Sequence, residues 1–411
     1  MSSQSKFLCV SVALVGFLAL AGCAPSDKPT ASSSAPAPSA TASVDPDPIY
    51  STDVFGAPAW SVTAAAAPVV VGGHVVWLDG ETVVAVDDAG QMAWTVNVEH
   101  VEGPRAPSLR LADPGTLALV QAGLASGGGL STSGQVIRVT LVDIATGEVV
   151  KQVDVPNPDE VLTVDSSLQG LVFTGGITPS TPGVVVGGDV RSVVVSPAGE
   201  MREVSTAAEG HYPIAAIGEH VVWMNATLYP DSINTDSMAL DLPVQGQVVF
   251  SDYASIVGVS DGAGVSWVDL DAGSVFAETP CGPKIPSSPL MTGSTDGGFV
   301  VAGDALLNVE AKTVTCLTAG EGAVAPSMAA VTDDGSTFGV TPVESRNVLA
   351  VGQADGGVEA HDLSERQSRA LIVGAVSDLV VHYDPQTGTV TANPVSAGTE
   401  ERARPSPIRL E

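Results

Sequence analysis

Residues 68–98 read PVVVGG, HVVWLDG, ETVVAVDDAG and QMAWTVNV in succession. Each apolar run is about five to seven residues, the length of an ordinary strand. Each break carries Gly or Asp, which supply positive φ and side-chain turn bonds. Val dominates the runs, and a β-branched side chain packs better on a pleated strand than on a helix. The stretch predicts four short antiparallel strands joined by tight turns.

The same unit recurs down the chain. His74-Val75-Val76-Trp77 returns as His220-Val221-Val222-Trp223, each after an apolar strand opened by a proline, Pro68 or Pro213. The two copies lie about three periods of roughly 49 residues apart, close to the spacing of propeller blades. Third-strand turns recur at 87–90 (DDAG), 143–147 (DIATG), 196–199 (SPAG), 271–273 (DAG) and 384–388 (DPQTG). Fourth strands follow, EVVKQVDV after Gly147 and SVFAET after Gly273. Four-strand units at this period bury their faces by stacking radially. The expected fold is therefore an all-β β-propeller of four-stranded antiparallel blades over 49–395. Turns near 90, 147, 199, 273, 312 and 365, with one unclear turn between 199 and 273, predict seven blades; the turn at 384 offers eight as the alternative. The stretch 57–63 (APAWSVT) stands before the first full copy and reads as a fourth strand. It is expected to complete the last blade and leave no free edge.

The copies resemble the repeat of quinoprotein-like propellers, in which a strand similar to VYALD precedes a Gly turn and a Trp-bearing strand. VVAVDDAGQMAW (83–94) fits well; VTLVDIATGEVV and VSWVDLDAGSVF fit in part. The resemblance implies the fold and not the chemistry. Quinoprotein dehydrogenases carry an adjacent Cys-Cys pair, calcium ligands and Trp docking positions in each repeat. Here Cys281 and Cys316 are apart, and Trp60, Trp77, Trp94, Trp223 and Trp267 do not recur once per blade. No cofactor is expected.

Upstream of the repeats lies a different kind of sequence. Lys6 precedes an apolar run, 7–20, that is too short for a stable membrane span, and small residues follow it. Leu20-Ala21-Gly22-Cys23 resembles the lipobox of bacterial lipoproteins, filling all four positions. That resemblance implies a signal peptide at 1–22, cleavage before Cys23, and a diacylglyceryl group on the Cys23 thiol. Two acyl chains meet the requirement for stable anchoring. Residues 23–48 are Ala, Ser, Pro and Thr with scattered charge, the composition of a disordered tether. A polar, proline-broken tail is expected at 396–411. The Ala/Val/Gly/Asp-weighted, Lys-poor composition resembles that of actinobacterial exported proteins.

The chain carries 16 Lys plus Arg against 46 Asp plus Glu, a net charge of −30. Phosphate backbones and anionic lipid repel such a surface, which argues against nucleic acid as a partner and against membrane binding by charge. The membrane link is expected through the lipid on Cys23 alone. Beyond Cys9 and Cys23, the pair Cys281 and Cys316 is expected as a disulfide in an exported protein, with two free thiols as the alternative.

No catalytic constellation emerges. The histidines (His74, His100, His211, His220, His361, His382) show no short metal-ligand spacing, and no Cys-x-x-Cys, nucleophile elbow or Gly-Lys-Ser/Thr loop occurs. His74 and His220 share a repeat position and read as structural. The acidic pairs Asp87/Asp88 and Asp333/Asp334 fall in turns, where a solvated turn outweighs a calcium site. No metal or catalytic residue is assigned. Insertions at 122–135, 176–183 and 227–236 are polar or Gly-rich and expected on one rim, as the candidate binding surface or as tolerated decoration. The expected function is a membrane-anchored, extracytoplasmic lipoprotein whose propeller is a non-enzymatic scaffold for an envelope protein or small ligand. The alternative is a divergent quinoprotein-type oxidoreductase or a propeller hydrolase acting on envelope sugars.

Overall fold

The computed structural model describes residues 48–99, 101, 103, 106–125, 134–158, 162–163, 171–175, 191–205, 211–217, 220–225, 247–250, 255–282, 291–318, 325–343 and 346–396. These residues form antiparallel strands and one 3₁₀ turn, Gln367–Arg369. The stretch 68–98 makes the predicted meander, Val69–Val71, His74–Asp79, Thr82–Val86 and Met92–Asn97 (sheet A).

Seven more sheets follow. Sheet B is Ser108–Asp113, Thr116–Ala125, Gly134–Asp143 and Val149–Pro156. Sheet C is Leu162–Thr163, Val172–Gly175, Arg191–Val195 and Met201–Ser205. Sheet D has two strands among the described residues, His211–Ile217 and His220–Asn225. Sheet E is Gln247–Phe250, Ile256–Ser260, Val265–Asp269 and Ser274–Thr279. Sheet F is Thr292–Gly293, Phe299–Ala302, Ala305–Asn308 and Thr313–Cys316. Sheet G is Ala330–Val331, Thr337–Val343, Arg346–Gly352 and Val358–Asp362. Sheet H is Leu371–Val376, Leu379–Asp384 and Thr389–Pro394, and its outer strand is Trp60–Thr63 from the other end of the chain. The ladder pairs Trp60 with Ala392 and Thr63 with Thr389. The isolated 57–63 stretch thus fills the place expected of it.

Burial explains why the strands read as continuous apolar runs. In Thr82–Val86, Val83 and Ala85 pack with Leu117, Leu119 and Val142 of sheet B. The alternate residues Val84 and Val86 pack with Val376, Val381 and Ala392 of sheet H. Sheet A is therefore apolar on both faces because it is sandwiched between its neighbours. Further shared cores join B to C through Val139, Leu141 and Phe173, E to F through Trp267 and Leu307, F to G through Leu306 and Ala350, and G to H through Phe338, Leu349 and Val380. The first strand of D lies against the second and third strands of C. D is tied to E by His220 Nε2 and Asp271 Oδ1 at 2.7 Å. The packing order returns to its start. The domain is a β-propeller.

Three details differ from the sequence expectation. Eight sheets are present among the described residues, where seven blades were favoured and eight kept open. The turn expected near 365 is instead at 353–357, where Gly356 N–H donates to Gln353 O at 2.9 Å; residues around 365 form the 3₁₀ link from G to H. The turn at 384–388 joins the second and third strands of sheet H and opens no further unit. The turn expected near 312 is present; Lys312 adopts φ +52 there, where the equivalent position in sheet E is Gly273.

Candidate functional site

The meander order gives the ring two distinct ends. Connections between second and third strands share one end; those between third and fourth strands share the other. Strands Thr116–Ala125 and Val172–Gly175 end, and Gly134–Asp143 and Arg191–Val195 begin, at the first of these ends. His220–Asn225 ends there as well. The insertions at 176–183 and 227–236 lie outside the described residues, as does the centre of 122–135. The flanks of that last insertion are not loop. They extend the ladder, from Gln121 opposite Arg138 to Ala125 opposite Gly134. The first strand of sheet B pairs only as far as Val120. Five residues of the second strand run past it, but the fourth strand covers the hairpin as far as Val136, so Leu124 and Ala125 with Gln135 and Gly134 extend past both neighbours. Leu124 on this projection is 41% exposed.

A buried polar group sits at the base of the hairpin. Arg138 Nε and Nη2 donate to Asp154 Oδ1 and Oδ2 at 2.7 and 2.8 Å. Arg138 Nη1 lies 3.4 Å from Glu99 Oε2, on the connection from sheet A to sheet B. The hydrogen bond to Asp154 holds the guanidinium above its ordinary pKa, against the opposing effect of burial. Gln121 Oε1 and Thr140 Oγ1, buried on neighbouring strands of the same face, accept no hydrogen bond. Since the Arg fork is filled by its own carboxylate in bidentate geometry, the arrangement braces the hairpin rather than offering an anion site.

A recurring contact joins the opposite ends of neighbouring sheets. Trp60 Nε1 donates to Asp88 O at 2.8 Å, and Trp94 Nε1 donates to Ile144 O at 2.8 Å. Each indole lies over the turn glycine of the next sheet. A Cβ on Gly90 would stand 2.3 Å from Trp60 Cγ, and one on Gly147 2.5 Å from Trp94 Cγ. In the next interface Lys151 takes the Trp position, with Nζ 3.4 Å from Ala198 O. The turn glycines are thus required twice, by φ +72 and by the covering side chain.

The other predicted residues fall as follows. Cys23 lies outside the described residues. Cys281 and Cys316 form a disulfide with Cα atoms 5.6 Å apart, fastening the end of sheet E to the last strand of sheet F. His74 Nδ1 approaches Gly72 O at 2.9 Å within its own turn, while His220 reaches the next sheet. The shared sequence position therefore carries two different contacts. Asp87 Oδ1 accepts from Ala89 N–H and Gln91 N–H, shaping its turn. Asp333 Oδ1 accepts from Asp296 N–H, tying F to G; burial, then the nearby Asp296 charge, raises its pKa despite that bond. Among the described residues no group of three or more His, Cys, Asp or Glu is placed to hold a metal ion. No helix there is long and apolar enough to cross a membrane.

No protein-family model matches the chain. No curated protein matches it either. Solved structures similar to it include apo AztD from Citrobacter koseri (TM-score 0.37, 12% identity, covering 79% of this chain and 94% of that one). A catalytically inactive virginiamycin B lyase from Staphylococcus aureus, bound to quinupristin, is similar at TM-score 0.37 and 11% identity, covering 82% and 98%. The WD40 domain of SCAP from fission yeast is similar at TM-score 0.37 and 10% identity, covering 81% and 93%. At such scores none of these carries an argument for this chain. The propeller rests on its own sheet order and packing.

Proposed function

We propose that the chain is an eight-bladed propeller lipoprotein, anchored by diacylglyceryl-Cys23 on the extracytoplasmic face of the cell membrane. Its head is a non-enzymatic scaffold that binds an envelope protein through the end bearing the long second-to-third connections. The observation that carries this reading is the hairpin Thr116–Ala125/Gly134–Asp143, which rises from a base braced by Arg138 and Asp154. A rigid projection with an exposed apolar residue suits recognition better than turnover. The insertions of sheets C and D leave from the same end, which favours one continuous surface over scattered decoration. The lipobox at 20–23 supports the anchor, and the net charge of −30 keeps the head off anionic lipid.

The test is site-specific photocrosslinking in intact cells. A crosslinker at Leu124 is expected to yield a discrete adduct with one envelope protein. The same group at Asp355, in an exposed turn at the other end, is expected to yield none. No adduct from Leu124, or equal adducts from both positions, overturns the reading.

A further inference from the structure

The segment joining the tether to the ring is wedged between sheets G and H. Ile49, Tyr50, Val54 and Phe55 are all buried there, against Phe338, Leu349 and Val351 of G and Ala375 and Val380 of H. Backbone bonds hold it at the H side: Gly56 N–H to Pro394 O at 2.9 Å, and Ser396 N–H to Val54 O at 2.8 Å. Gln367 Nε2 donates to Tyr50 O at 2.7 Å from the link between the two sheets. The same segment then supplies the outer strand of H, so the ring is complete only while it stays in place.

Under this strap lies a buried histidine. His382 is 3% exposed, and its Nδ1 has no hydrogen-bond partner. Phe55 packs edge-on against its ring at 4.8 Å, and Tyr50 lies at 6.1 Å. We propose that His382 makes the strap acid-labile: protonation of the imidazole beneath Tyr50 and Phe55 expels residues 49–56 from the G/H cleft and opens the outer strand of the last sheet.

The groups facing the cleft decide the sign. From the strap come Tyr50, whose pKa burial raises, and the exposed Asp53. From sheet G come His361 and Glu359, on the face shared with Leu349 and Val351. From the link comes Arg366, while Glu365 and Arg369 pair with each other at the surface. From H comes Asp384, two residues along the strand from His382. Asp384 is committed to Arg366 at 3.5 Å and to the Gln386 N–H and Thr387 hydroxyl. His361 Nε2 lies 3.9 Å from Glu359 Oε2 and, like His382 Nδ1, has no hydrogen-bond partner. No ion pair involves His382 among the described residues. Burial pushes its pKa down to about 4, against a smaller opposing pull from Asn393. The bound strap therefore keeps His382 neutral, and the released strap lets it take a proton at the ordinary value near 6.5. As pH falls from about 6.5 toward about 4, the release equilibrium rises about tenfold per pH unit. The rings of the strap, Tyr50 and Phe55, pack against His382, which sets it apart from His361.

Hydrogen exchange of the full-length chain, corrected for intrinsic rates, tests this between pH 7.5 and 4.5. Amides of 49–63 are expected to lose protection on the order of a hundredfold, while 256–279 of sheet E stay protected. His382→Gln is expected to flatten the dependence, and His361→Gln to leave it intact. His382→Phe, which keeps an apolar ring in place, serves if the glutamine does not fold. A titration of the His382 ring by NMR is expected to share its midpoint with strap release. Constant protection at 49–63, equal loss in sheet E, or the same pH dependence without His382 overturns the proposal.

Discussion

The Trp94 indole spans two sheets, donating from the outer strand of A to the Ile144 carbonyl of B at 2.8 Å while covering Gly147. Sheets that share only side-chain packing slide easily. A fixed hydrogen bond over a glycine with no room for a Cβ sets their relative position.

Gly147→Ala is therefore expected to cost about 3 kcal/mol or more, from positive φ plus overlap with the indole. Gly80→Ala has similar φ (+61) but open space around it. It is expected to cost about 1 kcal/mol. Urea unfolding of the two variants measures the difference; equal losses contradict the latch.

The bidentate pair at the hairpin base gives a second expectation. Asp154→Ala leaves the buried Arg138 guanidinium without its main partner, at a cost of about 3 kcal/mol. Glu99 is 66% exposed and 3.4 Å away. Its replacement by Ala is expected to cost under about 1 kcal/mol. A denaturant series on both variants separates brace from surface pair.

The repeat was legible in sequence because Trp94, Gly147 and their counterparts combine two constraints in a few residues. The reading of 57–63 as a lone fourth strand followed from its place before the first full copy, and the pairing of Trp60 with Ala392 agrees with it. The sheet count was less legible. The turn at 353–357 has no Asp at its first position and was displaced to 365. The hairpin in 122–135 was hidden by small residues, because Ala122, Gly123 and Ala125 carry little β propensity and hold their ladder through pairing with 134–137. The cleft around His382 could not be read at all. Tyr50, Phe55 and His382 meet only because the chain ends converge in one pair of sheets.

The disulfide closes a loop with a sequence separation of 35. Loop entropy assigns it about 4 kcal/mol. Reduction, or Cys281→Ser with Cys316→Ser, is expected to lower the midpoint of denaturant unfolding without abolishing the β-sheet circular dichroism signal. An unchanged midpoint contradicts a structural role.

Removal of the outer strand of H should be more severe than any point change. A chain beginning at Ala64 exposes the edge of Thr389–Pro394 and uncovers the apolar residues beneath Trp60 and Phe55. It is expected to aggregate or to unfold without a cooperative transition. A chain beginning at Pro48 is expected to unfold cooperatively, and so is the full-length protein. Size-exclusion chromatography with thermal denaturation compares the two.

The central claim, a propeller held at the membrane by its first mature residue, is tested most directly by mass spectrometry of the N-terminal peptide from the membrane fraction. The account predicts that this peptide starts at Cys23 and carries diacylglycerol on its thiol, and that Cys23→Ser moves the protein out of the membrane fraction. An unmodified Cys23, or a Cys23→Ser protein that stays in the membrane fraction, contradicts it.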